Sequence, residues 1–91
     1  PHTHQPEASD GRLAIFGGVD THLDTHVVCA VNALGARLGS ASLPTTPDGY
    51  DQLLNWLRQW GPVAGVGVEG TGSYGAGLAR RLHAAGVSVH E

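Results

Sequence analysis

Leu13-Ala-Ile-Phe-Gly-Gly-Val19, followed at once by Asp20, is the stretch on which the fold turns. Seven apolar residues in a row are too few to cross a membrane, which takes about 20. They are of strand length, and an unbroken apolar run suits a central strand buried on both faces. Downstream, His26-Val-Val-Cys-Ala-Val31 is a second, β-branched run. Asn32-Ala-Leu-Gly35 reads as a hairpin turn, with Gly35 free to take a positive φ. Arg37 to Leu43 alternates apolar and polar residues in part, as a strand nearer the sheet edge does. These three segments form a meander.

Thr46-Pro-Asp opens a helix. Thr46 can cap it, Pro47 suits the first helical position and Asp48 complements the positive end of the dipole. Tyr50, Leu53, Leu54, Leu57 and Trp60 fall on one helical face, and Gly61-Pro62 ends the pattern. Trp56 lies off that stripe, at the border of the core. Val63 to Val68 is a fourth strand ending at Glu69. Ser73 to Ala85 is a second helix with Tyr74, Leu78, Leu82 and Ala85 inward and Gly86 as terminator. Val87-Ser-Val89 starts a fifth strand, truncated by the end of the sequence. The order βββαβαβ predicts an α/β fold: a mixed sheet with helical crossovers, the first strand central and the fourth beside it and parallel. Residues 1–12 hold no Val, Ile, Leu or aromatic residue and read as a disordered tail, leaving 13–91 as one partial domain.

The balance of charge narrows the functions open to such a domain. Five basic residues, all Arg, against eight acids leave a net charge of −3, so phosphate neutralisation alone does not hold this chain on DNA. With 41% hydrophobic residues the chain is globular rather than disordered. No basic-then-apolar run marks a secretory signal. The single cysteine, Cys29, forms no internal disulfide, which fits a reducing cytoplasm, and in a strand run it reads as a buried small hydrophobe. The sequence contains no Met, which predicts a start that is not the native one.

Chemistry concentrates at the strand ends. Parallel neighbours lie about 4.8 Å apart, so Asp20 and Glu69 adjoin at the carboxyl ends of the first and fourth strands. Two like charges so close are costly, and a hard divalent cation such as Mg²⁺, or Mn²⁺ in its place, resolves the conflict. Such ions, paired about 3.5–4 Å apart, activate a nucleophile and stabilise the leaving oxygen of a phosphodiester. The bland alternative has Asp20 opening a turn and Glu69 capping a helix. In an extended 20–26 segment, Asp20, His22, Asp24 and His26 point to one side, as a Zn²⁺ or Mn²⁺ cluster does. His22 or His26 alternatively assists a proton transfer. Gly70-Thr-Gly-Ser-Tyr-Gly75 matches G-x-G-x-x-G between strand and helix, with Glu91 placed as a ribose-binding acid. This supports a rival, an NAD-binding Rossmann-like module. Against it, Glu69 sets a carboxylate beside the pyrophosphate. The same glycines otherwise let backbone N–H groups approach a nucleic-acid phosphate. Arg80 and Arg81 face outward, toward phosphate or solvent. A third alternative is a non-catalytic interaction domain that self-associates through the exposed edge of the fifth strand.

Gly18-Val-Asp-Thr-His22, Pro44-Thr-Thr-Pro-Asp-Gly-Tyr50 and Gly67-Val-Glu-Gly-Thr-Gly-Ser-Tyr-Gly75 together resemble the N-terminal domain of bacterial DEDD insertion-sequence transposases. That family includes the Piv DNA invertase and is similar to the Holliday-junction resolvase RuvC. The resemblance runs from about Ile15 to Glu91. It implies a ribonuclease-H-like fold with four acids, Asp, Glu, Asp and Asp, holding Mg²⁺ for DNA strand cleavage and transfer. Asp20 matches the first acid and Glu69 the second. The third and fourth fall beyond residue 91, so the chain alone is expected to be inactive. Gly70, Thr71, Gly72, Ser73 and Tyr74 match the segment expected to place the nucleic-acid backbone. Many members carry Lys where this sequence has Leu23. The resemblance further implies a C-terminal domain with a catalytic serine and association with a guide RNA.

Overall fold

The computed structural model describes residues 13–70 and 73–91. The expectations for residues 1–12, for Thr71 and Gly72, and for the side chain of Ser73 lie outside what is described. Seven elements follow in the order β1 (Ile15–Thr21), β2 (Thr25–Asn32), β3 (Arg37–Pro44), α1 (Pro47–Arg58), β4 (Val63–Glu69), α2 (Ser73–Ala84) and β5 (Ser88–His90). This is the α/β order expected, and it is consistent with a ribonuclease-H-like fold.

Local chemistry accounts for the boundaries. At the β2–β3 turn the Asn32 side chain accepts from the amides of Leu34 and Ala36, both at 2.9 Å, and Gly35 takes a φ of 86°. Thr46 is extended, and its hydroxyl accepts from the Gly49 amide at 3.0 Å. It thus satisfies one of the amides orphaned at the start of α1, directly ahead of Pro47. α2 closes in a Schellman arrangement: Val87 N–H donates to Leu82 O at 2.9 Å and Gly86 N–H to His83 O at 3.0 Å, with Gly86 at a φ of 82°.

The five strands pair in the order β3-β2-β1-β4-β5. β1–β2 and β2–β3 are antiparallel, and β1–β4 and β4–β5 are parallel. β3 therefore runs parallel to β4. The β3–α1–β4 and β4–α2–β5 crossovers advance in the same direction across the sheet. Crossovers of one hand put both helices on one face. The core forms there: Ile15, Val19, Val28, Ala30, Val66 and Val68 from the strands meet Leu53, Leu54, Leu57, Leu78 and Leu82 from the helices in one buried cluster. Leu57 reaches so close to β1 that a Cβ on Gly17 would lie 3.0 Å from its Cδ1.

Two expectations fail here. β1 is covered on one face only, with burial alternating along it and Gly18 and Asp20 exposed. Its apolar run is continuous because Phe16 and Gly18 supply the other face, where among the described residues no helix sits. Tyr74 does not turn inward but is 39% exposed, since it lies in the first turn of α2, a full turn ahead of the fully buried Leu78. Trp56 and Trp60, both half-buried, meet edge to face at 4.8 Å and close the core beneath Gly39 of β3.

Candidate metal centre

The sheet register brings the two acids together. Gly18 pairs with Gly67, Val19 with Val68 and Asp20 with Glu69. In-register residues of parallel strands point to the same face. Asp20 and Glu69 are both exposed and both stand on the face the helices leave open. They border a shallow depression of about 490 Å³ floored by Gly18, Gly67, Val27 and Cys29. Glu91 lines it too, so its charged rim is acidic and favours cations. Cys29, expected to be buried, is half-buried on this floor.

Each acid is held by a neighbour, His22 for Asp20 and Thr21 for Glu69, and pattern reading did not single out Thr21. His22 Nε2 lies 3.1 Å from Asp20 Oδ2, which orients the carboxylate through an N–H donor. Thr21 alternates onto the covered face, where it is 5% exposed, and its hydroxyl donates to the Glu69 carbonyl oxygen at 2.8 Å. The bond ties the end of β1 to the end of β4. It also explains Gly70, whose φ is 121° and where a Cβ would fall 1.9 Å from Thr21 Oγ1. Only glycine fits there. A polar residue at a core-facing position is itself a signal, because its hydroxyl must find a partner.

The four-residue Asp/His cluster does not form. Residues 22–24 form a turn, closed by His22 N–H to Thr25 O at 3.0 Å, and do not continue as an extended strand. The register at its end places His26 opposite Thr21, on the covered face. His26 is fully buried and stacked on Tyr50, with ring centroids 5.7 Å apart and planes at 14°. Burial pushes its imidazole below the usual 6.5, only partly offset by the Thr25 carbonyl beside Nδ1, and the neighbouring His22 lowers it further. Among the described residues no group of three or more His, Cys, Asp or Glu side chains stands close enough to hold a metal. Asp20 and Glu69 thus form a pair of neighbouring carboxylates and not a larger cluster among the described residues.

The glycine-rich segment also reads differently in three dimensions. A Cβ on Gly75 would press on Val68 Cγ1 at 3.1 Å, so Gly75, like Gly70, is accounted for by packing. The cleft between these glycines and Glu91 holds only about 90 Å³, well short of the roughly 300 Å³ at which small-molecule sites begin. Among the described residues, nothing in this geometry favours a bound dinucleotide. Arg81 is engaged with Asp51 of α1 at 2.5 Å, and Arg80 is exposed.

Comparison with known families decides the assignment. The sequence profile of the IS110-type DEDD transposases matches residues 17–91. The chain belongs to this transposase family. The match runs from the third residue of β1 through β5 and includes both acids. No curated protein matches the chain at a significant level. Membership makes this transposase chain part of a DNA-processing system and corresponds to the N-terminal domain of the family. No helix among its described residues is long and apolar enough to cross a membrane.

Proposed function

We propose that this chain carries the first two metal-holding acids of a transposase that cleaves and transfers DNA strands. One observation carries the reading: Asp20 and Glu69, separated by the whole β2–α1 segment in sequence, are in-register neighbours on the open face of the sheet. Two exposed carboxylates fit Mg²⁺, which takes one or two carboxylates and completes its shell with water and substrate phosphate. Mn²⁺ fits the same oxygens. When bound, the cation would supply charge stabilisation at the scissile phosphodiester.

The chain's own residues prepare that place. Thr21 holds the Glu69 backbone, His22 orients the Asp20 carboxylate, and Gly18 and Gly67 leave a flat floor over which a DNA strand can pass. Tyr74, exposed in the first turn of α2, offers a ring for contact with that strand, and by the family resemblance residues 70–74 are the ones that would hold its backbone. By the family resemblance the remaining acids lie C-terminal to residue 91, so this chain alone binds without cleaving. The same resemblance supplies a C-terminal serine domain and a guide RNA as partners of the complete enzyme.

In the intact transposase, Asp20→Asn and Glu69→Gln are expected to lower recombination by more than about 100-fold while the protein remains folded. The check is a strand-transfer assay alongside circular dichroism. Normal recombination by either folded variant removes the reading.

A further inference from the structure

The turn that follows Asp20 is held from outside itself. It spans His22 to Thr25, between the paired Thr21 and His26, and its own closure is a single bond from His22 N–H to Thr25 O. Thr45, in the link between β3 and α1, grips both arms of it. Its hydroxyl donates to the His22 carbonyl oxygen at 3.0 Å, and its amide donates to the Asp24 carbonyl oxygen at 3.0 Å. A third contact runs from the same hydroxyl oxygen to His26 Nδ1 at 3.3 Å.

The network fixes the proton positions. Thr45 has one hydroxyl proton, and it goes to His22 O, so His26 Nδ1–H is the donor toward Thr45 Oγ1 and toward Thr25 O at 3.2 Å. Nε2 then carries a lone pair, and among the described residues it lies buried without a partner. The ring itself cannot turn away, being fully buried against Tyr50. Tyr50 in turn is backed by α2, where a Cβ on Gly77 would come within 2.8 Å of the Tyr50 hydroxyl oxygen. The helical layer thus reaches through Tyr50, His26 and Thr45 to the exposed turn.

We infer that Thr45 is a positioning residue for the metal centre: by clamping the 22–25 turn it sets where the Asp20 carboxylate and the His22 imidazole stand opposite Glu69. Asp20 is the penultimate residue of β1, one residue from the turn that Thr45 holds. Ligand carboxylates must be held to within about 0.5 Å to bind well, and that precision comes from bonds one layer removed. Thr21 bonds the Glu69 backbone directly, and Thr45 acts on Asp20 from two residues away, through the His22 carbonyl. The inference rests on Asp20 and Glu69 being the metal-holding acids.

The test compares Thr45→Val, which keeps the shape and loses the hydroxyl, with Thr45→Ser, which keeps the hydroxyl. In this chain, a Mn²⁺ titration followed by NMR should broaden the Asp20, His22 and Glu69 amides at a concentration about 10- to 100-fold higher in Thr45→Val. Thr45→Ser should return it to within about threefold of wild type. In the intact transposase the Mg²⁺ requirement for strand cleavage should shift in step while DNA affinity stays constant. An unchanged metal midpoint in folded Thr45→Val, or a Thr45→Ser chain that behaves like it, overturns the inference. Should Thr45→Val not fold, amide exchange in the wild-type chain decides. The Thr45 amide should be protected to the level of the β1 core amides, and exchange at an open-chain rate refutes the clamp. Asp20→Asn runs in parallel: wild-type metal binding and activity there would bring down the underlying metal reading. Loss of both in Asp20→Asn with no effect of Thr45→Val would bring down the clamp alone.

Discussion

His26 shows how one side chain can couple solvent conditions to the fold. Its folded-state pKa lies below the ordinary 6.5, because burial disfavours the charged ring. The unfolded chain therefore takes up a proton before the folded chain does. The stability His26 contributes is fully present above about pH 6.5 and is lost as pH falls from there through the lowered folded-state value, below which the loss levels off. Urea midpoints taken from about pH 7.5 to about pH 5 should fall in wild type. They should fall less in His26→Asn, which keeps a donor near the Nδ1 position. Equal slopes in the two proteins would show that some other group carries the acid sensitivity. The acids behave differently: Asp20 and Glu69 are exposed, so their replacement is read in activity and metal binding rather than in folding.

Among the elements, α1 is the one whose local signals and tertiary role coincide. Its cap, its first-position Pro47 and its Leu53, Leu54 and Leu57 stripe all lie within one window of sequence, and all three leucines are essentially inaccessible to solvent. Thr46→Ala removes the bond to the Gly49 amide and should cost about 1 kcal/mol, within the usual 0.5–2 for such caps. Chemical denaturation with an unchanged m-value checks this, and a loss below about 0.3 kcal/mol would mean that water replaces the cap at no cost. α2 had weaker markers. Its Leu78 and Leu82 turned inward as expected, yet Tyr74 did not, because its first turn lies ahead of the part that packs on the sheet. The Arg81–Asp51 pair joins the two helices at half-exposed positions, where such a pair contributes at most about 1 kcal/mol.

The assembled sheet has one covered and one open face, and adjacent residues report the difference. Val28 is fully buried, whereas Val27 is 41% exposed on the face that carries the acids. Val28→Ala should cost about 2 kcal/mol from lost burial and the void left behind. Val27→Ala should stay within about 0.5 kcal/mol. Guanidinium midpoints of the two variants decide it, and equal losses would mean that both faces are covered in solution. The open face matters for the proposed function because it is the face on which both carboxylates, at the ends of β1 and β4, are exposed.

Much of this architecture could be read along the chain. Thr46, Pro47, Gly35 and Gly86 act on neighbours within a few residues, so the turns and helix ends were legible before any coordinates. The parallel pairing of β1 with β4, and with it the meeting of Asp20 and Glu69, followed from crossover handedness. What pattern could not supply were the relations set by partners far apart in sequence. Seven consecutive apolar residues look the same whether one face or both are covered, and only the common hand of the two crossovers leaves the second face without a helix among the described residues. Asp20, His22, Asp24 and His26 share a spacing, but a turn between the strands sends His26 inward to Tyr50. Thr45 carries no local mark at all, since its partners lie 19 to 23 residues away and meet it only when β2, β3 and α1 have packed. Short-range chemistry is written in neighbouring residues, whereas the geometry of the site depends on bonds that form after the chain has closed on itself.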